Sequence, residues 1–399
     1  MKYIVVVGDG MADYGLSELE GKTPLCAARK PNIDLIAENG LCGCLKTVPG
    51  RLEPGSDIAN MSILGYNPLK YYSGRGPFEA LSRGIELRKG EIAFRCNLVT
   101  VDEGLMVDYS AGHIKTEEAR SVIERLNEKM CSEGVRFYPG VSYRHIMVIG
   151  EEALGADGAK LKCIPPHDIS GKPISANLPA GKGSKVLIKL MRKSADILHD
   201  TDINSVRLDL RENPANMIWL WGAGKLPEIP LFKEKFGLDA AIISAVDLLK
   251  GIGKALGMDV IDVPGATGYY DTDYEAKAEY ALNALSKNDL VFIHVEAPDE
   301  AGHNGDLREK IRAIENIDEK IVKKISEHFS EASDYRILFL CDHATPISLK
   351  THTRDPVPFC MSGKGIKKDA FTSYDEQCCK SPTLKFEAGY RLMDYFIKH

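Results

Sequence analysis

Short apolar runs recur along this chain and alternate with stretches of helical length. The runs are residues 3–7, 241–245, 260–263, 290–295 and 336–340. Uninterrupted apolar runs of this length are typical of strands covered on both faces, and their alternation with helices favours a parallel sheet. A helical stripe follows the fourth run, at Leu307, Ile311, Ile314, Ile321 and Ile325. The pattern predicts an α/β domain with a mostly parallel sheet flanked by helices.

A change in amino-acid composition after Leu87 indicates a second domain. Gly-, Lys- and Glu-rich connections and a new set of short elements begin there, and the first pattern returns near residue 226. We therefore predict a main domain of residues 1–86 and 226–399. A smaller α/β (α+β) substrate-binding domain, residues 87–225, is predicted to be inserted into it.

Acidic residues and histidines come at or just after the ends of three predicted strands. They are Asp9, Asp299, His303, Asp342, His343 and His352. The carboxyl ends of parallel strands share one sheet edge, where such sheets keep their ligand sites. Carboxylates and imidazoles suit a divalent cation such as Zn, Mn or Fe. Three of each exceed the needs of one tetrahedral ion, so we expect two ions.

Ser56 follows a Pro-Gly turn, at the point where a helix running to Leu64 is predicted to begin. It either caps that helix or carries a phosphate held by the helix's positive end. Two ions about 4 Å apart would lower the pKa of its hydroxyl. The residues therefore point to a phosphoserine intermediate.

Composition narrows the class of protein. The chain has 399 residues and a net charge of -6, without a basic face, which makes nucleic acid an unsuitable partner. Its ten cysteines lack paired zinc-ribbon spacing, and its first residues are too short an apolar run for an export signal or membrane span. We predict a reduced, cytoplasmic protein that does not bind membranes; its oligomeric state is left open.

Islands of His, Asp and Arg in the predicted insert suggest a site for a small phosphorylated acid. They contain His113, Arg144, His145, His167 and Asp168. Outside the insert, two cations are further candidates: Arg75, which either faces substrate or pairs with Glu79, and Lys250. Each of these residues alone is equally compatible with a surface ion pair or loop role.

Five segments together carry a resemblance to a known family. They are GDGMAD (8–13), PGSD (54–57), GRGP (74–77), PDEAGH (298–303), and Asp342-His343 with His352. Along essentially its whole length the chain resembles the archaeal-type, cofactor-independent phosphoglycerate mutases of the alkaline phosphatase superfamily. The resemblance implies an alkaline-phosphatase-like fold and interconversion of 3-phosphoglycerate and 2-phosphoglycerate without 2,3-bisphosphoglycerate.

The resemblance also implies roles for individual residues. One metal would be held by Asp9, Ser56, Asp342 and His343, and the other by Asp299, His303 and His352, with Ser56 as nucleophile. The ligands suit Mn or Zn, and Mg less well. The insert would grip the substrate and close over the metal site. We expect Asp168, or else His145, to act as acid and base, with Arg144 and Lys250 holding carboxylate or phosphate.

Two alternatives stay open at this point. The segments PHD (166–168), WLWG (219–222), VDLLK (246–250) and KTHT (350–353) also resemble a bacterial branch proposed to contain homoserine kinases. That reading predicts phosphoryl transfer from a nucleotide to a small alcohol. The other alternative is a metal-dependent phosphatase, in which the phosphoserine is hydrolysed.

Overall fold

The computed structural model describes residues 1–131, 134–155, 157–329 and 334–399. It divides into two compact units: unit 1 is Met1–Tyr72 with Glu228–His399, and unit 2 is Ser73–Pro227. Within the described ranges, no helix is long and apolar enough to cross a membrane.

The strands and helices have the following bounds. The strands are β1 (Lys2–Gly8), β2 (Leu41–Leu45), β3 (Glu91–Asp102), β4 (Leu105–Asp108), β5 (Val135–Tyr138), β6 (Arg144–Gly150), β7 (Met217–Gly224), β8 (Ala240–Ile243), β9 (Asp259–Val260), β10 (Leu290–Val295), β11 (Tyr335–Cys341), β12 (Val357–Gly363) and β13 (Leu384–Phe386). The helices are α1 (Pro24–Ala27), α2 (Pro31–Glu38), α3 (Ser56–Ile63), α4 (Pro68–Tyr71), α5 (Arg75–Ser82), α6 (Thr116–Met130), α7 (Glu151–Leu154), α8 (Ser184–Leu198), α9 (Asp202–Asp209), α10 (Phe232–Phe236), α11 (Asp247–Ala255), α12 (Tyr274–Ala284), α13 (Ala297–Asn304), α14 (Leu307–Asn316), α15 (Lys323–His328) and α16 (Leu392–Lys398). A π-helical turn, Ile317–Val322, joins α14 to α15.

Unit 1 is built on an eight-stranded sheet of order β13-β2-β12-β11-β1-β10-β8-β9. Strand β1 lies between β10 and β11 and is parallel to both. Among the described pairings of this sheet, only those of β12 with β11 and β2 are antiparallel. The residues of β1 from Ile4 to Val7 are fully buried, as expected of an apolar strand covered on both faces. The predicted α/β fold with a mostly parallel sheet is confirmed.

The long helix after β10 follows the predicted stripe only in part. Ile314, Ile321 and Ile325 are fully buried, whereas Leu307 and Ile311 are partly exposed. The π-helical turn between α14 and α15 departs from the regular 3.6-residue period on which the stripe was based.

Unit 2 is an antiparallel sheet covered by helices. Its strand order is β4-β3-β6-β5, and β7 pairs with β3. Apolar residues of α6 and α8 pack with those of β3 and β7 in one core. Helix α5 packs against β3 and β7, so the unit begins at Ser73. The predicted start of the second domain at residue 87 was too late, because the turn-rich segment before it is a helix of this unit.

A buried ion pair joins two segments of unit 1. Lys310 Nζ, on α14, lies 2.7 Å from Asp13 Oδ2 and donates to the carbonyl oxygen of Thr345 at 2.8 Å. Both charged side chains are fully buried. A buried charge requires its partner, because an isolated one has lost its hydration.

Replacement of Lys310 by Met should therefore lower the free energy of unfolding by about 3–5 kcal/mol, since Asp13 is left buried without its cation. Urea denaturation measures this loss. The matched control is Lys324→Met, which breaks the exposed pair of Lys324 with Glu279 and should cost about 0–1 kcal/mol. Equal losses in the two variants would contradict the buried-pair argument.

Candidate active site

The carboxyl ends of β10, β1 and β11 lie level with one another. Gly8, at the end of β1, pairs in register with Val295 of β10 and Cys341 of β11. The next residues along the chain are Asp9, Glu296 and Asp342. All three carboxylates are therefore brought to one edge of the sheet, and all are buried. The prediction that strand ends gather acidic groups at one edge holds for Asp9 and Asp342, and Asp299 follows on α13.

Ser56 is the first residue of α3, and its side chain does not cap the helix. Gly55 occupies the N-cap position, without a side-chain cap. The Ser56 hydroxyl instead lies 3.2 Å from Asp9 Oδ2 and 3.2 Å from His343 Nε2. The capping alternative from sequence is therefore wrong, and the hydroxyl faces the acidic edge.

Two overlapping groups of side chains could each hold a metal ion. Asp9, Asp342 and His343 form one group, and Asp299, His343 and His352 form the other. Within each group the candidate ligand atoms all lie within 4.8 Å of one another. His343 belongs to both groups, so the two positions for a cation adjoin one another.

The ring nitrogens of His303 and His352 face each other in a way that favours a cation. His303 Nε2 lies 2.8 Å from His352 Nε2. The Nδ1 atoms face the carbonyl oxygens of Lys350 at 3.0 Å and Pro54 at 3.4 Å, to which they can donate. In neutral rings, both Nε2 lone pairs then point towards each other and towards Asp299, whose oxygens lie 3.2 and 3.5 Å away. A proton or metal ion relieves this repulsion, so the donor set fits a divalent cation.

Hydrogen bonds hold the acidic groups in place. Asn60 Nδ2 donates to Asp342 Oδ2 at 2.9 Å, and the backbone N–H of Gly10 donates to Asp342 Oδ1 at 3.1 Å. The Thr345 hydroxyl donates to Asp299 Oδ1. Gly10 has φ +60, and a Cβ there would lie 2.6 Å from the Thr345 hydroxyl. Glycine is therefore required at this turn.

The pKa values of these groups reflect burial among like charges. Burial, with the charges of Asp342 and Asp299, raises the pKa of Asp9 well above its ordinary value. Burial also opposes charge on Asp299, but hydrogen bonds from His303 and His352 outweigh it, and the pKa of Asp299 is lowered well below its ordinary value. The hydrogen bond to Asp299 raises the pKa of His303 to about 9. A field that holds a proton here also favours a metal cation.

Three charged residues behind Asp9 were not predicted: His294, Glu296 and Lys277. His294 lies 3.2 Å from Asp9 Oδ2 and 3.2 Å from Glu296 Oε1. Burial disfavours the charged ring, but hydrogen bonds to Asp9 and Glu296 raise the pKa of His294 to about 10. The histidine within the apolar run 290–295 was the available signal in the sequence, and the strand pattern concealed it.

Three arginines of unit 2, Arg75, Arg83 and Arg144, lie near enough to Arg95 for their charges to act on it, and the four form an arginine cluster. Arg95 Nε lies 3.1 Å from Glu79 Oε2, and Arg75 Nε lies 3.7 Å from Glu79 Oε1. Burial lowers the pKa of Arg95 to about 10; Glu79 opposes this, and the charges of Arg75, Arg144 and Arg83 add to it. The sequence singled out Arg75 and Arg144 but not Arg95. Clustered guanidinium groups suit a phosphate or carboxylate.

His145 lies buried on β6 of unit 2. Its Nδ1 accepts the backbone N–H of Gly140 at 3.0 Å. Burial, followed by the charge of Arg83, lowers the pKa of His145 to about 3. This direction runs against the expectation that His145 titrates near neutrality, because burial and the nearby arginine both disfavour the charged ring.

The other predicted substrate residues of unit 2 are more exposed. Arg144 places its guanidinium 5.7 Å from the ring of Tyr143. His113 is exposed, and the centre of its ring lies 6.0 Å from the centre of the Tyr143 ring. His167 Nε2 lies 3.7 Å from Asp168 Oδ1, and both side chains are about half exposed. Their roles towards a substrate stay predictions.

Lys250 lies on α11 of unit 1. Its Nζ is 2.6 Å from Asp262 Oδ1, in an ion pair whose carboxylate is largely exposed. This pair accounts for the position of the lysine, and its predicted contact with substrate stays untested.

Comparison with known proteins relates the whole chain to one family. The family model described as 2,3-bisphosphoglycerate-independent phosphoglycerate mutase matches residues 37–204. A curated protein of that name from Methanosarcina acetivorans is 50% identical over 401 residues, covering 100% of both chains. Another, from Methanothermobacter thermautotrophicus, is 50% identical and covers 100% of this chain and 97% of the relative.

The chain belongs to this phosphoglycerate mutase family. Two solved structures are similar to this chain along nearly their whole length, and the first is named as a phosphoglycerate mutase. A cofactor-independent phosphoglycerate mutase from Thermoplasma acidophilum has a TM-score of 0.69 at 29% identity, covering 100% of this chain and 99% of that one. A protein from Pyrococcus horikoshii has a TM-score of 0.83 at 28% identity, covering 99% and 96%. The family predicted from the motifs is confirmed, as is the prediction of an isomerase.

Addition of Mn(II) to the chelated phosphoglycerate mutase should raise its Tm by roughly 3 °C for each bound ion at one hundred times the dissociation constant, because occupancy of one site then contributes about 2.7 kcal/mol. Differential scanning calorimetry measures the shift. His352→Ala should reduce the shift, whereas His199→Ala, which removes an exposed histidine of unit 2, should leave it unchanged. A Tm that does not respond to Mn(II) would count against the metal centre.

Proposed function

We propose that this mutase interconverts 3-phosphoglycerate and 2-phosphoglycerate through a phosphoserine on Ser56 at a two-metal centre. The observation that carries the proposal is the position of the Ser56 hydroxyl, 3.2 Å from both Asp9 Oδ2 and His343 Nε2 at a helix start. Both neighbours belong to a group that could hold a cation. A hydroxyl in such surroundings is suited to nucleophilic attack on phosphorus.

The proposed ligands divide between two ions. Asp9, Ser56, Asp342 and His343 would hold one, and Asp299, His303 and His352 would hold the other. The grouping of Asp9, Asp342 and His343 supports the first set, and the facing rings of His303 and His352 beside Asp299 support the second. Mn or Zn suits these ligands better than Mg. When bound at such a centre, divalent cations would lower the pKa of the Ser56 hydroxyl and neutralise the negative charge of the phosphoryl group.

The proposed reaction has two transfers. The Ser56 hydroxyl loses its proton and its oxygen bonds to the phosphorus of 3-phosphoglycerate, as the bond from phosphorus to the 3-oxygen breaks and that oxygen takes up a proton. The 2-hydroxyl of glycerate then loses a proton and bonds to phosphorus, which releases Ser56. Backbone N–H groups at the start of α3 would hold the phosphate carried on Ser56. Asp168 is our proposed proton carrier, since the low pKa of His145 removes it from that role.

The arginine cluster of unit 2 is the proposed site for the anionic groups of the substrate. Arg95 and Arg75 of this cluster pair with Glu79, and the charges of Arg83 and Arg144 act on Arg95. Guanidinium groups match the paired oxygens of carboxylate and phosphate. This supports unit 2 as the substrate-binding unit, with Arg144 as its more exposed cation.

Ser56→Ala should lower mutase activity by at least about 10³-fold and abolish labelling of the protein by phosphate-labelled 3-phosphoglycerate, because the oxygen that accepts the phosphoryl group is absent. An enolase-coupled assay measures the activity. The matched control is Ser62→Ala in the same helix, whose hydroxyl donates to the Thr47 carbonyl oxygen. Labelling of Ser56→Ala would contradict the proposal.

Parallel assays with ATP and homoserine, and of inorganic phosphate release, separate the rival reactions. Product that requires ATP and homoserine would instead identify a kinase, and release of inorganic phosphate without isomerisation would identify a phosphatase. Either result in the metal-loaded wild-type protein would overturn the mutase assignment.

Arg144→Ala should lower kcat/KM for 3-phosphoglycerate by about 10- to 150-fold, mainly through KM, since a charge-assisted hydrogen bond contributes about 1.5–3 kcal/mol. Arg136→Ala is the control, because Arg136 pairs with Glu91 on another part of unit 2. Arg144→Lys should restore only part of the loss, since it cannot form a bidentate contact. An unchanged KM in Arg144→Ala would remove Arg144 from the substrate site.

A further inference from the structure

A chain of four charged side chains runs through the interior of unit 1 and ends at Asp9. Lys277 Nζ lies 2.8 Å from Glu296 Oε2, Glu296 Oε1 lies 3.2 Å from His294 Nδ1, and His294 Nε2 lies 3.2 Å from Asp9 Oδ2. The exposed fractions of these side chains are 0% for Lys277 and His294 and 4% for Glu296 and Asp9. Two basic side chains therefore alternate with two acidic ones, and all four are buried.

His294 lies between two acidic side chains. Its Nε2 faces Asp9 Oδ2 and its Nδ1 faces Glu296 Oε1, so both ring nitrogens have a carboxyl oxygen as neighbour. Its orientation is set from behind, because Glu296 Oε1 also accepts the hydroxyl of Ser244 at 2.9 Å and the N–H of Ala245 at 2.8 Å. Lys277 completes this by donating to Glu296 Oε2 and to the His294 carbonyl oxygen at 2.9 Å.

We propose that His294, held by Glu296 and Lys277, is a positioning residue that orients the Asp9 carboxylate for the metal centre. Its Nε2–H holds Oδ2 of Asp9. Oδ1 then remains directed towards His343, whose Nε2 lies 3.4 Å away. This inference rests on the proposed function in one respect, namely that Asp9 binds a metal ion beside Ser56.

The arrangement goes beyond what stability of the core requires. Buried ion pairs are often no more stabilising than apolar side chains of similar size. Here Asp9, at the end of the series, cannot be replaced without altering the site, because it contacts both Ser56 and His343. Removal of a group that fixes the orientation of a metal-binding side chain commonly weakens metal binding by about ten- to one-hundredfold.

The test is titration of the chelated full-length protein with Co(II), followed by visible absorption. His294→Gln should weaken one of the two binding events by about tenfold or more and alter its spectrum, because Asp9 is no longer held. The event that depends on Asp299, His303 and His352 should change by less than about twofold. Mutase kinetics should show a lower kcat with little change in KM, since the substrate's anionic groups are held elsewhere.

Two further variants guard against a folding defect. Glu296→Gln should change the same binding event as His294→Gln, and Ser244→Ala, which removes one hydrogen bond to Glu296, should change it by a smaller factor. The matched control is Asp318→Asn, because Asp318 is a buried carboxylate of unit 1 that accepts the Ile33 N–H at 2.7 Å and serves the start of α2. It should bind Co(II) as the wild type does.

Unchanged or tighter Co(II) binding with a wild-type spectrum in folded His294→Gln and Ser244→Ala would overturn the inference. So would an equal loss in Asp318→Asn, since the effect would then follow any buried carboxylate. Failure of the proposed function has a different signature: the wild type would bind Co(II) without isomerising phosphoglycerate, and the variants would still report on Asp9.

Discussion

Burial of several carboxylates at one sheet edge is the constraint on which the rest of unit 1 depends. Asp9, Asp299 and Asp342 are each less than 9% exposed, and Asp9 and Asp342 follow strands that end in register. Negative charges at such short distances from one another repel strongly in the low-dielectric interior of a protein. The fold tolerates them because histidines, hydroxyls and amides surround them and because their ligand atoms lie close enough to share cations.

The acidic groups just outside the centre are compensated differently. Glu296 has Lys277 from α12, and Asp13 has Lys310 from α14, each at 2.8 Å or less. Both lysines are fully buried, so the protein itself supplies a basic partner to each of these two carboxylates. The described partners of Asp299 are instead histidines and a threonine. This division separates carboxylates that complete the interior from those that are available to a metal.

The sequence identified the groups at strand ends because position in a parallel sheet follows from the apolar pattern. Asp9 and Asp342 were found in this way. His294 and Lys310 were not, because one interrupts an apolar strand and the other lies on a helix near an apolar stripe, and only three-dimensional contacts show that each meets a buried carboxylate. Arg95 was missed for a similar reason: its partner Glu79 comes from α5, a segment that had been read as turns before a later domain boundary.

The pairing of β1 has a consequence for synthesis on the ribosome. Val5 pairs with Phe292 on one side and with Leu338 on the other. Strand β1 is therefore synthesised long before either of its neighbours. Contacts so distant in sequence are slow to form, and an unpaired apolar strand is open to aggregation in the meantime. During synthesis β1 is therefore more exposed to aggregation than a strand that pairs within a local hairpin.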